Sequence, residues 1–86
     1  MTADELQLLL SQHLPLTAIE VVDQSAAHAG HRSNTGGGYF DVKLVSPAFE
    51  GLSRVERHQK VYAVVLGKIG AEIHALSIKA YTPEEF

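Results

Sequence analysis

Within Tyr39-Phe40-Asp41-Val42-Lys43-Leu44-Val45, apolar and charged side chains alternate without a break from Phe40 through Leu44. A period of two is the mark of a strand with one buried face. It puts Phe40, Val42 and Leu44 on that face and Asp41 and Lys43 on the other. Such a strand cannot stand alone: it needs neighbours in a sheet and an apolar layer across its buried side. Leu16 to Asp23, rich in β-branched residues, precedes it and predicts a first strand paired with it as an antiparallel hairpin. Ile73 to Tyr81 predicts a third strand.

The apolar layer comes from helices announced by capping boxes, in which a hydroxyl at the N-cap and a carboxylate three residues on satisfy each other's backbone N–H groups. Thr2-Ala3-Asp4-Glu5 opens the first helix, with Leu6, Leu9, Leu10 and His13 at helical spacing and Pro15 ending it. Ser53-Arg54-Val55-Glu56 opens the main helix, whose expected apolar stripe is Val55, His58, Tyr62, Val65, Leu66 and Ile69. Glu56 and Lys60 are spaced for an i,i+4 ion pair, and the helix should stop between Gly67 and Gly70. Ser46 to Gly51 reads as a turn containing one helical turn. Thr82-Pro83-Glu84-Glu85 is a third box with proline at N1, predicting a short closing helical turn. No repeat or composition break interrupts residues 1–86, which read as a single α+β domain of order α-β-β-α-β-α. Its helices pack on one face of a three-stranded mixed sheet.

The second strand, main helix and third strand form a β-α-β unit, and such crossovers are right-handed with parallel strands. Both strands then start at one edge of the sheet. The segment Ser25-Ala26-Ala27-His28-Ala29-Gly30-His31-Arg32-Ser33-Asn34-Thr35-Gly36-Gly37-Gly38 feeds that same edge. It is longer than most loops in compact domains, a length associated with function or disorder. Topology therefore brings His74, at the start of the third strand, near a loop carrying His28 and His31.

The five histidines are the chain's main chemical resource. His13 ends the first helix, where a cation suits the helix dipole. His58, on the apolar stripe, is read as half-buried and hydrogen-bonded to backbone. His74 alternates with Leu76 and Ile78 and so should face the packed side of the sheet at its rim. His28 and His31, as His-Ala-Gly-His, are a weak metal signal that gains weight from His74. Two or three neutral imidazoles at one edge suit a borderline metal and leave coordination positions open. There is no cysteine, hence no disulfide and no thiolate ligand. Gly36-Gly37-Gly38 opens no helix and is no phosphate-binding signature; it is read as giving the loop freedom to move. No nucleophile–base–acid set is visible, so binding rather than catalysis is expected. Neither a signal peptide nor a membrane-length apolar run is found, which sets the expectation of a cytoplasmic protein. Net charge is −3, against nonspecific nucleic-acid binding.

The chain resembles the BolA family from about Leu6 to Phe86. The resemblance rests on Asp23-Gln24-Ser25-Ala26-Ala27-His28, Tyr39-Phe40-Asp41-Val42, Val45-Ser46-Pro47-Ala48-Phe49-Glu50-Gly51, Arg57-His58-Gln59-Lys60-Val61-Tyr62, Ile73-His74-Ala75-Leu76 and Thr82-Pro83-Glu84-Glu85-Phe86, in that order and spacing. Phe86 stands where the family commonly has Trp. The resemblance implies a fold similar to class II KH domains. It also implies partnership with a monothiol glutaredoxin around a bridged [2Fe-2S] cluster, used in iron–sulfur maturation or iron regulation. The family's ligand positions fall on His28 and His74. His28 keeps the family's spacing from Ser25, and His31 stays a rival. The remaining ligands would be the partner's cysteine and a glutathione thiolate. Histidine ligation raises cluster potential relative to all-cysteine ligation, as in Rieske centres.

The alternative expectation is a KH-like nucleic-acid-binding transcriptional regulator. Arg54, Arg57, Lys60 and Lys68 on the main helix speak for it. The lack of a basic GxxG loop and the negative net charge speak against it. Self-association into a homodimer is left open.

Overall fold

A computed structural model describes residues 1–25 and 38–86. The elements are α1 (Ala3–His13), β1 (Ala18–Asp23), β2 (Gly38–Val45), α2 (Arg54–Val65) and β3 (Ile73–Tyr81), with short 3-10 turns at Pro47–Phe49 and Leu66–Lys68. Strand order is β1-β2-β3, with β1 antiparallel and β3 parallel to the central β2. The α+β class, the hairpin and the parallel crossover are as expected.

Both helix starts form as read. Thr2 Oγ1 accepts the Glu5 N–H while the Glu5 carboxylate accepts that of Thr2, and Ser53 and Glu56 repeat the arrangement. These bonds hold the Glu5 and Glu56 carboxyls below their ordinary pKa, backbone bonding being the larger cause. Glu56 is thereby engaged at the cap, and the expected Glu56–Lys60 ion pair does not form. Thr82 and Glu85 exchange the same two bonds at the chain end, yet the segment is a turn rather than a helix.

The core lies between the helices and the inner face of the sheet. Leu6, Leu10 and Leu14 from α1 and its cap meet Phe40, Val42 and Leu44 of β2, with Phe49, Val61, Val65, Ile73 and Ile78 completing one cluster. The inner line of α2 differs from expectation. Val55 and Leu66 are exposed (64% and 70%), while Val61 and Val65 are fully buried. The inward line is Arg57, Val61 and Val65, spaced by four, and an arginine at its head hides it from a hydropathy pattern. Leu66 falls in the 3-10 turn, where the 3.6-residue period no longer applies.

Arg57 makes that position work through its fork. It donates to the carbonyls of Leu52 (3.1 Å) and Ala80 (3.1 Å) and to both oxygens of Glu85 (2.6 and 3.0 Å). This pairing is the first cause of a Glu85 pKa lowered to about 2. Buried Ser46 donates to the Pro15 carbonyl (2.9 Å), accepts the Ala48 N–H, and sends its own N–H to Tyr81 O. Where α2 returns to β3, Gly70 takes φ +86, which a residue with a Cβ adopts only at a cost. Its N–H then closes on Ile73 O at 2.8 Å. No helix among the described residues is long and apolar enough to cross a membrane.

Candidate functional site

β2 and β3 start side by side, and the start of β3 carries His74. The register jumps there: Gly38 faces Ile73, but Tyr39 faces Ala75. His74 is thus the extra residue of a bulge, which shifts the phase of the strand and re-aims a side chain. Ile73 is fully buried below it, and Leu76 and Ile78 point inward beyond it, while His74 is exposed. This corrects the expectation that His74 faces the packed side. Simple alternation fails because the bulge lies between His74 and Leu76.

The exposed imidazole makes one ring contact and no hydrogen bond among the described residues. Its ring lies 4.9 Å from that of Tyr39, centroid to centroid, at an interplanar angle of 41°. Tyr39 is in turn pinned. Its N–H donates to Ser25 Oγ (3.2 Å), and its carbonyl accepts the Gln24 N–H (2.7 Å). Ser25 is itself set by its N–H bond to Asp23 Oδ1 (2.8 Å); bonding from Ser25, side chain first, holds the Asp23 carboxyl below its ordinary pKa. Gln24 Nε2 reaches Asp41 Oδ2 at 3.1 Å. On the other side, the Gly38 N–H donates to Glu72 O at 3.1 Å. Residues 25 and 38, which bound segment 26–37, are therefore both tied to the edge that carries His74.

Gly38 has a second role that composition concealed. A Cβ there would run into the ring of buried Phe40, so glycine is required by packing at this position rather than for mobility. His28 and His31, as well as Gly36 and Gly37, lie outside the described residues.

The other histidines lie elsewhere. His13 Nδ1 donates to Leu9 O (3.0 Å) in the last turn of α1, a structural role that fits the expectation. His58 is half-buried as expected, but its ring makes no hydrogen bond among the described residues. It lines a groove of about 640 Å³ between α2 and the second half of β3, with Arg54, Arg57, Lys79 and Glu85. That groove does not include His74. Of the basic set, Arg57 is consumed by Glu85, and Lys68 pairs with Glu72 at 2.9 Å. Arg54 and Lys60 are exposed and have no ion-pair partner among the described residues.

No group of three or more His, Asp or Glu among the described residues could hold a metal. A single exposed imidazole, with no carboxylate or thiolate bonded beside it, has the donor chemistry of one ligand to a centre whose other ligands come from elsewhere.

A model of BolA-like proteins matches residues 10–85. SufE-like protein 1, chloroplastic/mitochondrial, of Arabidopsis thaliana is 38% identical over 82 residues, covering 88% of this chain and 22% of that protein. The solved BolA domain of SufE1 from that plant matches at TM-score 0.84 and 37% identity, over 98% of this chain and 94% of that domain. Protein BOLA1, chloroplastic, of the same plant is 36% identical over 87 residues, 96% of this chain and 54% of that protein. The solved BolA1 structure also gives a TM-score of 0.84, at 34% identity, covering 100% of this chain and 96% of that one. The DNA-binding transcriptional regulator BolA of Haemophilus influenzae is 30% identical over 63 residues, 73% of this chain and 61% of that protein. The chain thus spans between a fifth and two thirds of these curated relatives. With a BolA-like family model matching residues 10–85 and a fold that superposes on both solved domains at TM-score 0.84, the chain belongs to the BolA-like family.

Proposed function

We propose that this chain is a non-enzymatic partner of a monothiol glutaredoxin. Together they hold or transfer a bridged [2Fe-2S] cluster in iron–sulfur maturation or iron regulation. The chain supplies His74 and a loop histidine, His28 with His31 as the rival. The glutaredoxin cysteine and a glutathione thiolate supply the rest. The observation that carries the reading is the exposed His74 imidazole on the edge to which Ser25 and Gly38 are both tied, with no hydrogen bond of its own among the described residues. Membership of the family supports it, as does a chain with no thiolate of its own. The cytoplasmic setting expected from the sequence belongs to the same proposal; the Arabidopsis relatives carry organellar names, and cell fractionation distinguishes the two.

The test is co-expression with a monothiol glutaredoxin, then visible absorption and circular dichroism of the purified pair. Wild type should give a cluster spectrum, His74→Ala should lose it, and His28→Ala should weaken or shift it. Apo-heterodimer formation should survive both changes. A wild-type-like cluster in the His28→Ala, His74→Ala double variant refutes the assignment.

The name of the Haemophilus relative favours a second reading, DNA binding. With Arg57 and Lys68 engaged, Arg54 and Lys60 remain for phosphate contact. Two such contacts give a salt slope of roughly −2 in log K against log salt. A steeper slope would support a regulator role over the cluster role.

A further inference from the structure

We infer that Tyr39 is the positioning residue for the His74 imidazole. The inference rests on the cluster reading above and deepens it. A histidine that binds a metal ordinarily donates its second ring N–H to a carboxylate, carbonyl or water, which fixes the direction of the ring. His74 has no such bond to any described residue. It sits on a bulge, exposed, at the end of an edge strand, where backbone and solvent restrain χ1 and χ2 least. The Tyr39 ring, 4.9 Å away and tilted by 41°, is its one ring contact among the described residues. That distance and tilt lie within the range of favourable aromatic pairs.

Tyr39 is fit for the task because its own backbone is fixed on three sides. Ser25 Oγ takes its N–H, Gln24 donates to its carbonyl, and Ala75 is its ladder partner. The tie to Ser25 also joins the two halves of the site. The residue that orients the strand ligand is the residue to which the start of the loop is bonded. Holding one imidazole in a narrow range of directions removes the entropy that would otherwise be lost when the cluster binds. An apolar side chain of the wrong shape at 39 would leave His74 present but free to turn, and a ligand that is free to turn leaves the metal faster.

Two measurements test this. In the free protein, proton NMR of the His74 ring should show a ring-current shift that Tyr39→Phe preserves and Tyr39→Leu abolishes. In the reconstituted pair, cluster loss to a chelator should be roughly wild-type for Tyr39→Phe and several-fold faster for Tyr39→Leu, with unchanged apo-heterodimer affinity. If Tyr39→Leu fails to fold, Tyr39→Val, a better strand former, takes its place. Wild-type cluster retention in a folded Tyr39→Leu or Tyr39→Val variant, with His74→Ala losing the cluster, overturns the role of Tyr39 and leaves the cluster reading standing. Retention in His74→Ala as well overturns the cluster reading itself.

Discussion

The parallel strands β2 and β3 run together from one end of the sheet to the other, and their two ends are built differently. At the C-terminal end, buried Ser46 joins Pro15, Ala48 and Tyr81, while the Arg57 fork joins Leu52, Ala80 and Glu85. No buried side-chain polar atom among the described residues there lacks a partner. At the N-terminal end the backbone is held by a few bonds, from Gly38 to Glu72 and from Tyr39 to Ser25, but the side chain at the tip makes no hydrogen bond among the described residues: His74 stands exposed on a bulge against the Tyr39 ring. Side-chain groups that are satisfied internally stabilise the fold and are lost to binding. A group left unsatisfied and exposed adds little stability and keeps its chemistry. The difference assigns stability to the C-terminal end and leaves the other end to the role proposed above.

Substitutions should therefore sort by end. Phe49, fully buried in the turn after β2, belongs to the closed end. Phe49→Ala should cost about 3–5 kcal/mol, enough to leave so small a domain largely unfolded; urea denaturation reads it directly. The glycine at the open end is the exception that sharpens the contrast. Gly38→Ala puts a Cβ against the Phe40 ring and should cost about 1–3 kcal/mol, although Ala elsewhere in a strand would gain on Gly. If Gly38→Ala is neutral or stabilising, that strand start is loose and the packing account of it fails.

The clamp of Arg57 and Glu85 has a pH signature. The Glu85 pKa is depressed in the folded protein to about 2, from 4.5. Its contribution is therefore present above pH 4.5 and is lost as pH falls through about 2. The thermal midpoint of wild type should exceed that of Glu85→Gln near neutral pH, and the gap should close between those limits. Glu5, Asp23 and Glu56 are depressed too and add to the acid slope of both proteins, so the difference isolates Glu85. A gap that persists unchanged at pH 2 would show that the carboxylate charge is not what holds the chain end.

His58 and His74 give the smallest changes in stability and the sharpest comparison. His58→Ala removes a half-buried ring with no hydrogen bond among the described residues and should cost about 1 kcal/mol or less. His74→Ala should stay within about 0.5 kcal/mol, as exposed substitutions do, while removing the cluster spectrum proposed above. A His74→Ala protein that is strongly destabilised would place this residue with the closed end and break the division.

The order and kind of elements, the closing helical turn after Tyr81 excepted, were legible because their signals are local. A capping box closes over three residues, alternation over seven, and the handedness of a crossover follows from chain chirality. Thr2 to Glu5, Ser53 to Glu56, the inward trio Phe40, Val42 and Leu44, and the parallel placement of β3 all rest on such neighbours. The resemblance in short motifs likewise pointed to the family, and the connection rules placed His74 at the edge.

Tertiary structure decided what depends on residues far apart in the chain. Whether Val55 or Val61 faces the core is settled by where α1 and the sheet press on α2. Arg57 reads as a surface cation until the chain end, 28 residues on, arrives to meet it. His74 faces outward because β3 must shift register to pair with β2 at Gly38 and Tyr39. One extra residue in a ladder reverses which face follows, and nothing within reach of His74 along the sequence marks that residue, because the bulge is set by the partner strand.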